Sequence, residues 1–130
     1  MIILCLATDQ PEAHLGLYED SKLLKEVRWQ AHRELSNTLY QKLQSLLDSQ
    51  KLALTDVEGF VCYKGPGSFT GLRIGLAAAN GLAYALNAPI LSAEGENWIK
   101  EGIKRLQSGE NEKIAMPHYG AEANITTPKK

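Results

Sequence analysis

Gly65, Gly67, Ser68, Thr70 and Gly71 are the residues whose types and spacing come nearest to a chemical device in this chain. They lie in Gly65-Pro66-Gly67-Ser68-Phe69-Thr70-Gly71, between a short apolar run, Gly59 to Tyr63, and a longer one reaching Leu86. The pattern reads as strand, glycine turn, helix. Gly65 and Gly67 supply backbone freedom with Pro66 fixing φ between them, and Ser68 and Thr70 are placed to cap the helix. Free N–H groups and the helix dipole at such a start suit an anion such as a phosphate. The plainer reading, a tight turn that only packs, stands beside it. A Walker A loop requires a lysine after its second glycine, and here Leu72 and Arg73 follow Gly71. The dinucleotide fingerprint fails by one residue, because Thr70 stands where the third glycine belongs.

No other set of residues makes a catalytic case. His14, His32 and His118 are scattered, with no pair four apart on a helix, so no metal site is expected. Ser68 has no base to activate it. Asp9 follows the first strand and reads as a turn residue, with a carboxylate beside a metal-bound nucleotide as the alternative. Glu94 and Glu96 precede a helix and are explained by its dipole.

The elements that position the turn are more informative. From Gly71 to Asn87 the polar residues are Arg73, Asn80, Tyr84 and Asn87, which fall on one narrow stripe of a helix. Nearly everything else round that helix is apolar or small. Small residues recur every fourth position in two rows, Gly71, Gly75, Ala79 and Ala77, Gly81, Ala85. One apolar face is accounted for by the helix's own sheet, and the surplus implies a partner.

Composition bounds the alternatives. The chain has 130 residues, 44% hydrophobic and 22% charged, the profile of one globular domain with a core. A net charge of −1 leaves no electrostatic footprint for nucleic acid. Cys5 and Cys62 lie in apolar runs and read as reduced, buried thiols of a cytoplasmic protein. Neither a signal peptide nor a membrane span is expected.

In chain order, Ile2–Leu6 reads as a buried strand, Ala13–Tyr18 as a half-buried one and Leu23–Trp29 as a third pairing back on it. A helix from about Arg33 to Ser49 shows Leu35, Leu39, Leu43, Leu46 and Leu47 on one stripe. Val57–Tyr63 is the fourth strand, Ala88–Ser92 the fifth, and Glu96–Leu106 a last helix. This is an α/β lobe, a mixed sheet with its first three strands antiparallel and helices packed on it; the order suits ribonuclease-H-like and actin-like proteins, with other mixed α/β folds open on pattern alone. Residues 1–107 are assigned to it, and residues 108–130 to a weakly ordered C-terminal tail.

Gly65-Pro66-Gly67-Ser68-Phe69-Thr70-Gly71-Leu72-Arg73-Ile74-Gly75, with the strand before it, resembles the signature of the bacterial TsaB (YeaZ) family. The resemblance runs over about residues 1–95, and Pro117-His118-Tyr119 with Asn124-Ile125-Thr126 is similar to that family's ending. It implies an actin-like, non-catalytic scaffold in the threonylcarbamoylation of tRNA. Such a scaffold dimerises or joins the catalytic paralogue TsaD, works with the ATPase TsaE, and meets tRNA only through the complex. Carried over by position, the interface comprises Leu72, Gly75, Leu76, Ala79 and Leu82 with Leu35, Leu39 and Leu43, and Gly75→Arg is expected to abolish association. There are two departures from the family. Ala7, Thr8 and Asp9 stand where the family commonly carries Asp-Thr-Ser, and most of the second lobe is missing, the tail being its remnant. The expectation is therefore no cofactor, and neither firm binding nor hydrolysis of ATP by this chain alone. A nucleotide-binding role and a glycoprotease-type peptidase are the competing readings.

Overall fold

The computed structural model describes residues 1–67 and 69–117. Strands β1 (Ile2–Ala7), β2 (Glu12–Glu19) and β3 (Lys22–Gln30) run as two consecutive hairpins. A single 3-10 turn leads into α1 (Leu35–Ser49), and then come β4 (Gly59–Tyr63), α2 (Phe69–Leu86), β5 (Ile90–Ala93) and α3 (Trp98–Gln107). The five strands form one sheet in the order β3-β2-β1-β4-β5. β1 pairs antiparallel with β2 and parallel with β4, and β5 is parallel to β4. With helices on both faces, this is the ribonuclease-H-like, actin-like lobe expected from the sequence.

Alternation along each strand sorts the core into two layers. Leu4, Leu6, Leu15, Leu17, Phe60, Cys62 and Ile90 face α1 and α2. Ile3, Cys5, Val61 and Leu91 face Ile103 and Leu106 of α3. All five apolar-stripe leucines of α1 are buried, each contributing about 2 kcal/mol of transfer free energy. Trp29 Nε1 donates to Thr38 Oγ1 at 2.9 Å, pinning the start of α1 to β3.

Helix α2 sits closest to the sheet where side chains are smallest. The Thr8 hydroxyl, buried after β1, donates to the Gly71 carbonyl at 2.8 Å, and a Cβ on Gly75 would overlap the Thr8 side chain. Leu72, Leu76, Ala79 and Ala83 then pack inward. The helix ends at Asn87, whose φ of 56° marks a left-handed cap, with Ala88 N–H reaching the Ala83 carbonyl at 2.9 Å.

Residues 108–117 are not the loose tail expected of them. Ala115 is buried, its N–H donating to Asn80 Oδ1 at 2.8 Å while Asn80 Nδ2 donates to its carbonyl at 3.0 Å. Residues 118–130, with the rest of the expected tail and the ending motif, lie outside the described residues.

Two outcomes follow from this packing. Gly75→Val forces α2 off β1, lowering stability by about 3 kcal/mol and the thermal midpoint by roughly 10 °C, measured by calorimetry. His14 lies 2.8 Å from Glu26 Oε1 and is almost wholly covered. Burial holds its pKa below the usual 6.5 despite that carboxylate, so the unfolded chain takes up the proton first. Stability is therefore highest above pH 6.5 and declines as pH falls through that value, and denaturant titrations will show a shallower acid slope for His14→Gln.

Candidate functional site

The glycine turn sits at the end of the sheet where β1, β4 and β5 deliver their C-termini. Gly65 is buried with a φ of 100°, a conformation that excludes side chains, and Lys64 N–H before it bonds the Ala93 carbonyl at 2.9 Å. Gly67 is exposed but lies against Asp9, whose Cβ a side chain here would overlap. Thr70 lies exposed in the first turn of α2, and Gly71 uses its carbonyl to hold Thr8. Ser68 lies outside the described residues.

Four of the five sequence-derived anion residues are thus described; Thr70 and Gly71 line, with Thr8 and Arg33, a depression of about 480 Å³, while Gly67 lies against a carboxylate. The Asp9 carboxylate packs onto the Gly67 backbone at the turn itself. Beside it, an open depression of about 460 Å³ is lined by Ala7, Asp9, Tyr63, Gly95, Glu96 and Trp98. Tyr63 and Trp98 meet at 5.6 Å between ring centres. Burial, with Asp9 and Glu94 nearby, pushes the Tyr63 hydroxyl pKa up. Among the described residues, no group of three His, Cys, Asp or Glu side chains converges as a metal site. Cys5 and Cys62 are buried, and burial raises both thiol pKa values well above the ordinary range.

The residues expected at a partner interface are placed as follows. Leu35, Leu39 and Leu43 are in the core against the sheet, as are Leu72, Leu76 and Ala79, while Gly75 is pressed on Thr8. These seven are almost wholly covered by the lobe, because the same stripe seats each helix on its own sheet, while Leu39, Leu43 and Ala79 line, with Tyr40, Ala78 and Leu82, an apolar depression between α1 and α2. Leu82 alone of the eight keeps part of its surface, at the edge of α2. Gly75→Arg would therefore disrupt the lobe itself and says nothing about association.

What α2 presents outward is its other row of small residues. Ala77, Gly81 and Ala85 are exposed beside Arg73 and Tyr84, whose side chain is 90% exposed, and a Cβ at Gly81 meets nothing within 4 Å. Ile114 and Met116, 62% and 65% exposed, flank the buried Ala115 that is tied to Asn80 on the same helix. The sequence reading missed this segment. Its signal was the apolar, small, apolar order Ile114-Ala115-Met116 inside a polar stretch. No helix among the described residues is long and apolar enough to cross a membrane.

The model of the family TsaD: tRNA N6-adenosine threonylcarbamoyltransferase matches residues 28–94, from the end of β3 through α1, β4, α2 and β5. The tRNA threonylcarbamoyladenosine biosynthesis protein TsaB of Escherichia coli is 30% identical over 113 residues, covering 82% of this chain and 48% of that protein. TsaB of Bacillus subtilis is 32% identical over 90 residues, 69% of this chain and 39% of the relative. A tRNA N6-adenosine threonylcarbamoyltransferase of Geotalea uraniireducens is 29% identical over 103 residues, 79% of this chain and 27% of the relative. Among solved structures, YeaZ from Pseudomonas aeruginosa superposes with a TM-score of 0.68 at 28% identity, over 82% of this chain and 50% of that one. The chain spans about half the length, or less, of these relatives. Matched by that family model over residues 28–94 and by these relatives on either side of it, the chain belongs to the TsaD family and, within it, to the TsaB (YeaZ) group.

Proposed function

We propose that this chain is a non-catalytic scaffold subunit of the machinery that makes N6-threonylcarbamoyladenosine in tRNA. In this reading it docks a TsaD-like catalytic paralogue through the outer face of α2, works with a TsaE-like ATPase, and touches tRNA only through the assembled complex. Its place of work is the cytoplasm.

One observation carries the docking role: the row Ala77, Gly81, Ala85 and the neighbouring Tyr84 stand outward with open space over Gly81. Small residues at helix spacing let a second helix approach closely, and an exposed tyrosine is the kind of anchor that dominates interface energetics. The choice of partner is supported by the TsaD model matching the very segment that holds α1 and α2. A TsaD-like protein presents a helix pair of the same kind, so two related lobes can meet in a pseudo-twofold arrangement.

Gly81→Arg tests the docking surface without disturbing the lobe, because the position is open and arginine is a better helix former than glycine. The thermal midpoint of the variant is expected to hold or rise, while affinity for a TsaD-like protein from the same genome falls about tenfold or more in calorimetry. A complex of unchanged affinity would remove this face from the account. In cells lacking this chain, nucleoside analysis is expected to show loss of threonylcarbamoyladenosine from tRNA. The unaltered gene should restore it and the Gly81→Arg gene should not.

A further inference from the structure

The face of the sheet that carries α3 is covered unevenly. Helix α3 packs on β4 and β5, and Tyr18 is the side chain through which β2 meets that layer. Between α3 and the turn joining β2 to β3 lies a depression of about 530 Å³. Its floor is apolar, made by Tyr18, Ile99 and Ile103, and Lys100 and Lys104 stand on its rim one helical turn apart. Where α3 ends, Gln107 Nε2 donates to Asp20 Oδ1 at 3.4 Å, and the Met1 amino group holds that same carboxylate at 3.1 Å.

Glu96 lines this depression and also the one beside the Tyr63–Trp98 ring pair, so the two form one groove along α3. The groove is divided in charge. Asp9 and Glu96 mark the half beside the aromatic pair, and Lys100 and Lys104 mark the other. Among the described residues none of these four side chains makes an ion pair. Opposite charges held apart over an apolar floor match a ligand whose own charges are separated in the opposite sense. Aromatic rings beside carboxylates suit a guanidinium or ammonium group, and two lysines suit a carboxylate. A nucleic-acid strand fits poorly, since its phosphates would have to pass Asp9 and Glu96.

We propose that this groove docks an extended segment of a partner protein, with a basic residue against Asp9, Tyr63 and Trp98 and an acidic residue against Lys100 and Lys104. From Trp98 to Lys104 the helix rises about 9 Å, within reach of side chains four positions apart on an extended chain. Residues at every second position of such a chain share one face. The segment therefore reads basic, spacer, apolar, spacer, acidic, and its middle side chain meets Ile99 and Ile103. The groove lies across the sheet from α2, so this surface is independent of the docking role given to that helix.

The test titrates the peptide acetyl-Arg-Ala-Leu-Ala-Glu-amide into the isotope-labelled full chain, followed by nuclear magnetic resonance. The Trp98 indole signal is expected to move saturably, with half-saturation at about 1 mM or below. The Trp29 indole, bonded to Thr38 on the other side of the sheet, is expected to stay in place. A peptide ending in Arg instead of Glu should bind the unaltered chain about tenfold more weakly. Lys100→Glu with Lys104→Glu, both exposed positions, should invert that preference, a result that misfolding cannot give. Movement confined to α2, no saturable movement of Trp98, or equal affinity of the unaltered chain for the two peptides would overturn the proposal. So would a double variant with unchanged preference. Argininamide alone binding as tightly as the first peptide would reduce the groove to a site for a small cation, and would overturn it too.

Discussion

The seat of α2 on β1 is the contact from which the rest of the lobe takes its geometry. Thr8 is buried there, its hydroxyl bonded to the Gly71 carbonyl, and Gly75 has no side chain because Thr8 occupies the space. That close approach decides which way α2 is turned. Once Gly75 faces β1, the helical period sends Leu72, Leu76, Ala79 and Ala83 into the core and leaves Ala77, Gly81 and Ala85 outside. It also sets the glycine turn over the end of the sheet, where Asp9 meets Gly67.

Two rows of small residues on one helix thus have different causes. The row through Gly71, Gly75 and Ala79 is explained by the lobe's own packing. The outer row has no such explanation within the described residues, since a Cβ at Gly81 touches nothing. Glycine in a helix interior costs about 1 kcal/mol relative to alanine. An exposed Gly81 is therefore a local loss of stability that the fold does not require. A close-packed partner helix is a physical reason for tolerating it.

Most of the architecture was legible because its signals are periodic. The leucine stripe of α1, the alternation in β2 and the apolar run of β4 each correspond to an observed element, with boundaries moved by a few residues. The fold class could be read because strand and helix order alone separates an antiparallel start from a parallel finish. The orientation of α2 could not, since both of its small-residue rows look alike until Thr8 is placed beneath one of them. Apolarity alone did not show how much of that stripe the helix's own sheet covers. Ser92, Arg105, Asn111 and Glu112, which meet at the edge of β5, were also invisible as a set, because bonds between side chains and a strand edge leave no period in a sequence. The glycine turn was legible as a strand-to-helix turn, but the carboxylate that Asp9 places against it depends on a fold that brings together residues far apart in the chain.

The most direct measurement uses the chemistry of the core. Cys5 and Cys62 are buried with thiol pKa values pushed far up, so an Ala77→Cys chain carries its reactive thiol on the outer face of α2. Its alkylation rate should be that of an exposed thiol in the free chain and should fall sharply once a TsaD-like protein is bound. A complex that forms fully while position 77 is alkylated at the free rate would contradict the account.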